Sequence, residues 1–176
     1  MKNKFLWILA AAAVGLLALL KISGGGGGND ETYQAAKTFT GSKVESALVS
    51  LNTEPVDLGE IKIGSGLVET EFKFKNTGAE SITLVYGETS CMCTEAVVKR
   101  ANGEMSPRIK MPGHGGNTGP LNLTLEPGEE AVLLAIFDPM AHGPDALGPI
   151  DREIVLKTNS KTTPELRFSF LGNVIK

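Results

Sequence analysis

The chain has 176 residues, with 17 Lys and Arg against 20 Asp and Glu, two cysteines and two histidines. That size suits one domain with an appendage, not two full domains. Lys2, Lys4 and Lys21 precede residue 29 with no acidic residue among them, which leaves residues 29–176 with 14 basic and 20 acidic groups. Such a body offers no basic stripe to a phosphate backbone, so nucleic acid is not an expected partner. The length excludes a barrel of eight β/α units, and 41% apolar with 21% charged residues excludes global disorder.

Phe5 to Leu20 is an uncharged apolar run, FLWILAAAAVGLLALL. As a helix it would extend about 24 Å, and with Lys21 snorkelling and Ile22 added it can cross a membrane. Residues 1–23 are therefore expected to form a transmembrane anchor, in preference to a cleaved secretory signal. Lys2 and Lys4 outweigh Lys21, which places the N-terminus inside the cytoplasm and the body in the periplasm or outside the cell. Five glycines, Gly24 to Gly28, open a polar linker or stalk running to residue 52. Within it Val44, Leu48 and Leu51 are spaced to line one face of a short helix.

From residue 53 the period changes to two. Val56 to Ile63 supplies a first strand; Val68, Thr70, Phe72 and Phe74 then alternate with Glu69, Glu71, Lys73 and Lys75. That alternation marks a strand with one buried and one wet face. After the turn at Asn76-Thr77-Gly78 come Ile82, Leu84 and Tyr86. Beyond the Glu126-Pro127-Gly128-Glu129 turn, Val132, Leu134 and Ile136 are read as inward residues, followed by Ile154 and Leu156, then Leu166, Phe168 and Phe170. About seven short strands with Gly and Pro turns predict an all-β fold, an immunoglobulin-like antiparallel β-sandwich over residues 53–176, preceded by the N-terminal transmembrane helix.

Two long loops interrupt this pattern, Asn102 to Pro120 and Pro139 to Pro149, and each holds one of the two histidines, His114 and His142. Cys91-Met92-Cys93 closes the strand that ends near Thr89. If that strand stays extended, both thiols face one side with Cα atoms ~6.6 Å apart. A disulfide between them would then need a kinked backbone, whereas a tetrahedral ion holds thiolates roughly 3.7 Å apart. Cys91, Cys93, His114 and His142 are thus candidate ligands of one transition-metal ion. Met111 and Met140, soft thioethers close to the histidines, are possible additions that favour copper over zinc. Asp138 and Asp145 can either orient His142 or act as turn residues. No hydrolase or phosphate-loop motif is present.

The runs VDLGEIKIGSGLVETEFKFKNTGAESITLVYGETSCMCT, LEPGEEAVLLAIFDP and REIVLKTNSKTTPELRFSFLGNV resemble the domain of unknown function 1573 family of bacteria. In that family G-x-I-x-x-G, F-x-F-x-N-T-G, C-x-C-T and P-G-E recur in this order. The resemblance covers about residues 55–175 and implies an exported immunoglobulin-like sandwich with no agreed activity. Its C-x-C-T motif falls on Cys91, Cys93 and Thr94, with Met92 where members commonly have Gly. The leading expectation is a membrane-anchored, non-hydrolytic module for metal holding, delivery or electron transfer. The alternatives are a scaffold subunit of an envelope protein complex and a thiol–disulfide partner using Cys91 and Cys93.

Overall fold

A computed structural model describes residues 41–113 and 120–176. The expected anchor, the glycine run and His114 lie outside the described residues. Among those described, no helix is long and apolar enough to cross a membrane.

Nine strands form two sheets among the described residues. One sheet contains β1 (Leu48–Ser50), β3 (Val68–Asn76), β7 (Glu130–Phe137) and β5 (Thr94–Arg100), in the order β1-β3-β7-β5. The other contains β2 (Val56–Lys62), β9 (Glu165–Ile175), β8 (Gly148–Thr158), β4 (Ile82–Thr89) and β6 (Leu123–Leu125), in the order β2-β9-β8-β4-β6. From β2 to β8 the chain changes sheet at every connection, which makes the fold an immunoglobulin-like sandwich. Pairing is antiparallel except for β2, which runs parallel to β9. A parallel neighbour requires a long return, and here nearly the whole domain separates the two strands. Gly59, at φ 65°, takes up the irregularity between Asp57 and Glu60 in that pairing.

The alternating apolar residues of β3 and β9 meet between the sheets. Phe72 and Phe74 stand 5.3 and 5.6 Å from Phe168, ring centre to ring centre, and Phe137 meets Phe170 edge-on at 6.0 Å. Each such pair contributes about 0.5–1.5 kcal/mol beyond its buried area. At one corner Asn76 is fully buried, its amide donating to the carbonyls of Glu80 and Leu125. Gly78 follows because a Cβ there would collide with Ser46.

Three expectations are corrected. The segment read as a helix over Val44, Leu48 and Leu51 is extended: Val44 bridges Ser160 and Leu48–Ser50 pairs with β3. Sandwich structure thus begins upstream of residue 53. On β7 the inward residues are Ala131, Leu133, Ala135 and Phe137, whereas Val132 and Leu134 line an outer groove of about 530 Å³ with Val97 and Met105. Every residue from Ala131 to Phe137 is apolar, so periodicity could not choose a face; pairing does, setting Leu133 opposite Phe72. Finally, the segment after Arg100 is not a free loop, since Ile109 bridges Ala96 and is fully buried over Gly87.

Leu133→Ala should cost about 2–5 kcal/mol in denaturant unfolding, and Leu134→Ala less than half as much. Equal losses would mean that the β7 register is wrong.

Candidate functional site

Both thiols sit where the chain crosses from one sheet to the other. β4 belongs to the five-stranded sheet and β5 to the four-stranded one, and residues 90–93 make the passage. The expected extended geometry does not hold there. The Thr94 amide donates to the Cys91 carbonyl at 3.1 Å, closing a tight turn over Cys91-Met92-Cys93-Thr94. Thr89, buried just before the turn, reaches across it, its hydroxyl within hydrogen-bond distance of the carbonyls of Cys91 (3.1 Å) and Thr94 (2.9 Å). This is the kink that an extended Cys-x-Cys lacks. It brings the two sulfurs to 2.7 Å, closer than two thiolates on one tetrahedral ion and longer than the ~2.05 Å of a disulfide.

The β7–β8 connection crosses between the sheets at the same end. Thr94 pairs with Phe137, the Asp138 amide donates to the Cys93 carbonyl at 2.8 Å, and Ser90 donates to the Glu153 carbonyl at 2.9 Å. The Asp138 carboxylate accepts the Met140 amide, and the Gly143 amide bonds the Met140 carbonyl. Asp138 is therefore a turn residue, and the turn it starts carries His142. The imidazole Nε2 of His142 lies 3.2 Å from the Cys91 sulfur. Asp145 is exposed farther along the same loop.

Of the four expected ligands, Cys91, Cys93 and His142 come together, with donor atoms all within 4.8 Å of one another. Met140 is exposed in the turn before His142. Met111 is half-buried beside Ser90, where it lines a surface cavity of about 320 Å³.

Arg152 on β8 is a member of the site that sequence reading missed. Its Nε–H donates to the Cys93 sulfur at 3.1 Å, and its guanidinium lies 5.9 Å from the centre of the Phe137 ring. Within the run Asp151-Arg152-Glu153 it reads as one of several solvated charges, and only the pairing of β4 with β8 reveals it.

The two thiols occupy different environments. Cys93 belongs to the hydrophobic core, while Cys91 is partly exposed at its edge. Burial would raise the Cys91 pKa. Hydrogen bonds from the Cys93 thiol and backbone and from His142, with the charge of Arg152, outweigh it and bring the pKa from 9.0 to about 7. Burial pushes the Cys93 thiol up, the neighbouring Cys91 sulfur adds to this, and bonds from Arg152 and Thr94 offset it only in part. One sulfur is thus ready as a nucleophile at neutral pH and the other holds its proton.

Residues 49–109 match the family described as "Protein of unknown function (DUF1573)", a span that ends at Ile109 and contains the cysteine turn. No curated protein matches the chain. Among solved structures, a Porphyromonas gingivalis W83 protein of unknown function is similar, with 14% identity and a TM-score of 0.52 over 78% of this chain and 50% of that one. This chain therefore spans about half the length of that protein. The seventh PapD-like domain of human CEP192 is also similar, at 15% identity and a TM-score of 0.37, over 79% of this chain and 93% of that one. At 14% identity the likeness to the Porphyromonas gingivalis protein shows the fold alone.

Alkylation of the full-length reduced chain should rise with pH through about 7 and level off, because the Cys91 thiolate is the reacting form. Peptide mapping should find the label on Cys91 before Cys93. A midpoint near that of free thiols, or equal labelling, would contradict the asymmetry.

Proposed function

We propose that this DUF1573-family domain is a dithiol–disulfide module, tethered outside the cytoplasm by residues 1–23, which exchanges electrons with a disulfide or dithiol of a partner polypeptide. The observation that carries this reading is the pairing of an acidified, accessible Cys91 with a buried, proton-holding Cys93 at 2.7 Å. The Cys91 thiolate attacks one sulfur of the partner disulfide; that S–S bond breaks, and the departing thiolate takes up a proton. Cys91 and the partner are then joined. Cys93 gives up its proton and attacks the Cys91 sulfur, and the partner's second thiolate leaves and is protonated. The partner disulfide is reduced to two thiols and the Cys91–Cys93 pair is oxidised to a disulfide; the reverse sequence oxidises a partner dithiol. His142, bonded to the Cys91 sulfur, helps to hold the thiolate that makes the first attack.

The competing proposal is a soft transition-metal site, copper before zinc, in which Cys91, Cys93 and His142 supply ligands. Their convergence within 4.8 Å favours it. Against it, a guanidinium already donates to the Cys93 sulfur, and the sulfurs would have to separate to share an ion.

Full-length Cys93→Ser, mixed with a disulfide-linked peptide, should accumulate a covalent adduct on Cys91. The wild-type chain should instead lose both thiols together and gain an internal bond, read as the loss of two hydrogens in the mass. One tightly held copper or zinc per chain, with both thiols inert toward the peptide disulfide, would reject the exchange reading in favour of the metal.

A further inference from the structure

We infer that Arg152 drives the second half of this exchange, stabilising the negative charge that appears on the Cys93 sulfur when Cys93 gives up its proton to attack Cys91 and displace the partner. The inference rests on the dithiol reading and goes beyond it, since it assigns one residue to one of two chemically similar steps.

The geometry of Arg152 is specific. Its Nε–H points at the Cys93 sulfur at 3.1 Å, its Nη1 donates to the Asp151 carbonyl at 2.8 Å, and its guanidinium lies over Phe137. Among the described residues it forms no ion pair with a carboxylate: neighbouring Glu153 is engaged by Arg167 at 2.6 Å. A half-buried cation held in this way, and not neutralised by an acid, has its charge available for a developing anion. The anion it faces is the one most in need of it. Cys93 is 3% exposed and sits among core residues, where charge without a partner is costly.

The order of events follows from the bonding. Arg152 bonds to Cys93 and not to Cys91, while the Cys93 thiol donates to the Cys91 sulfur. During the first attack charge leaves Cys91, the more exposed sulfur, and Cys93 stays neutral. Once Cys91 is bonded to the partner it no longer draws the Cys93 proton as a thiolate does. Cys93 must then lose that proton, form the bond to Cys91 and expel the partner thiolate. In that step the Arg152 guanidinium and, more distantly, the Thr94 hydroxyl at 3.7 Å are the groups set against the Cys93 sulfur. Removing the guanidinium should therefore slow resolution far more than the first attack, because its charge is the smallest of the influences that acidify Cys91.

An aromatic disulfide that releases a coloured thiolate separates the two steps, because attack by Cys91 releases one equivalent and displacement by Cys93 a second. With the full-length chain, Arg152→Met should leave the first release within about three-fold of wild type and slow the second by about ten-fold or more, the scale of one charge-assisted hydrogen bond. Arg152→Lys keeps the charge and should recover most of the second phase. Circular dichroism of the variants separates misfolding from chemistry, and Arg152→Gln, which also removes the charge but keeps a polar side chain, carries the test should the methionine variant not fold. Two unchanged phases, or equal slowing of both, would overturn the role of Arg152 and leave the dithiol reading standing. A wild-type chain that retains two reagent adducts and forms no internal disulfide would remove the dithiol reading itself.

Discussion

The site depends on the turn that carries the chain from β4 to β5. A sandwich must cross between its sheets somewhere, and an extended crossing would keep alternate side chains well apart. Here the crossing is compressed into four residues, closed by the Thr94 amide on the Cys91 carbonyl and spanned by the buried Thr89 hydroxyl. The same compression brings the sulfurs into contact, so the feature that changes sheets also makes a dithiol. Because the turn is tied to β7 through Asp138 and to β8 through Glu153, its geometry is fixed by the core and not by the loop alone.

The second crossing at this end explains the rest of the constellation. β7 must also change sheets to become β8, and its connection passes the cysteine turn, presenting His142 to Cys91 from the solvent side. β8 then returns beneath the turn and presents Arg152 to Cys93 from the other. The two sulfurs are thus given different neighbours by topology. One meets an imidazole at the surface and the other a guanidinium against an aromatic ring, and in the proposed exchange this division separates an attacking thiol from a resolving one. The outer groove between β3, β7 and β5 takes no part in this chemistry; it explains why β7 is apolar on both faces.

Legibility followed the strength of local patterns. β3 and β9 were readable because charged or polar residues alternate with aromatic ones, so one face was plainly wet. β7 was not, since Ala131 to Phe137 offers no polar residue to mark its outer face. Val44, Leu48 and Leu51 fit a helical spacing, yet long-range pairing with β3 and Ser160 makes the segment extended. The cysteines and His142 were visible through their scarcity and their glycine-rich surroundings. Their geometry was not, because a turn closed by ordinary backbone bonds leaves little trace in Cys-Met-Cys-Thr. Arg152 was hidden most completely: a charged residue beside two others signals solvent until strand pairing sets it against a buried sulfur.

If the proposed exchange operates, Cys91 and Cys93 form one reversible two-electron couple. Equilibrating the full-length chain across a graded series of reduced and oxidised glutathione, then quenching with acid and mapping the peptides, tests it directly. Both thiols should disappear in a single reversible transition, leaving a bond between Cys91 and Cys93 within one peptide. Thiols that vanish independently, or that end as separate glutathione adducts with no bond between them, would contradict it.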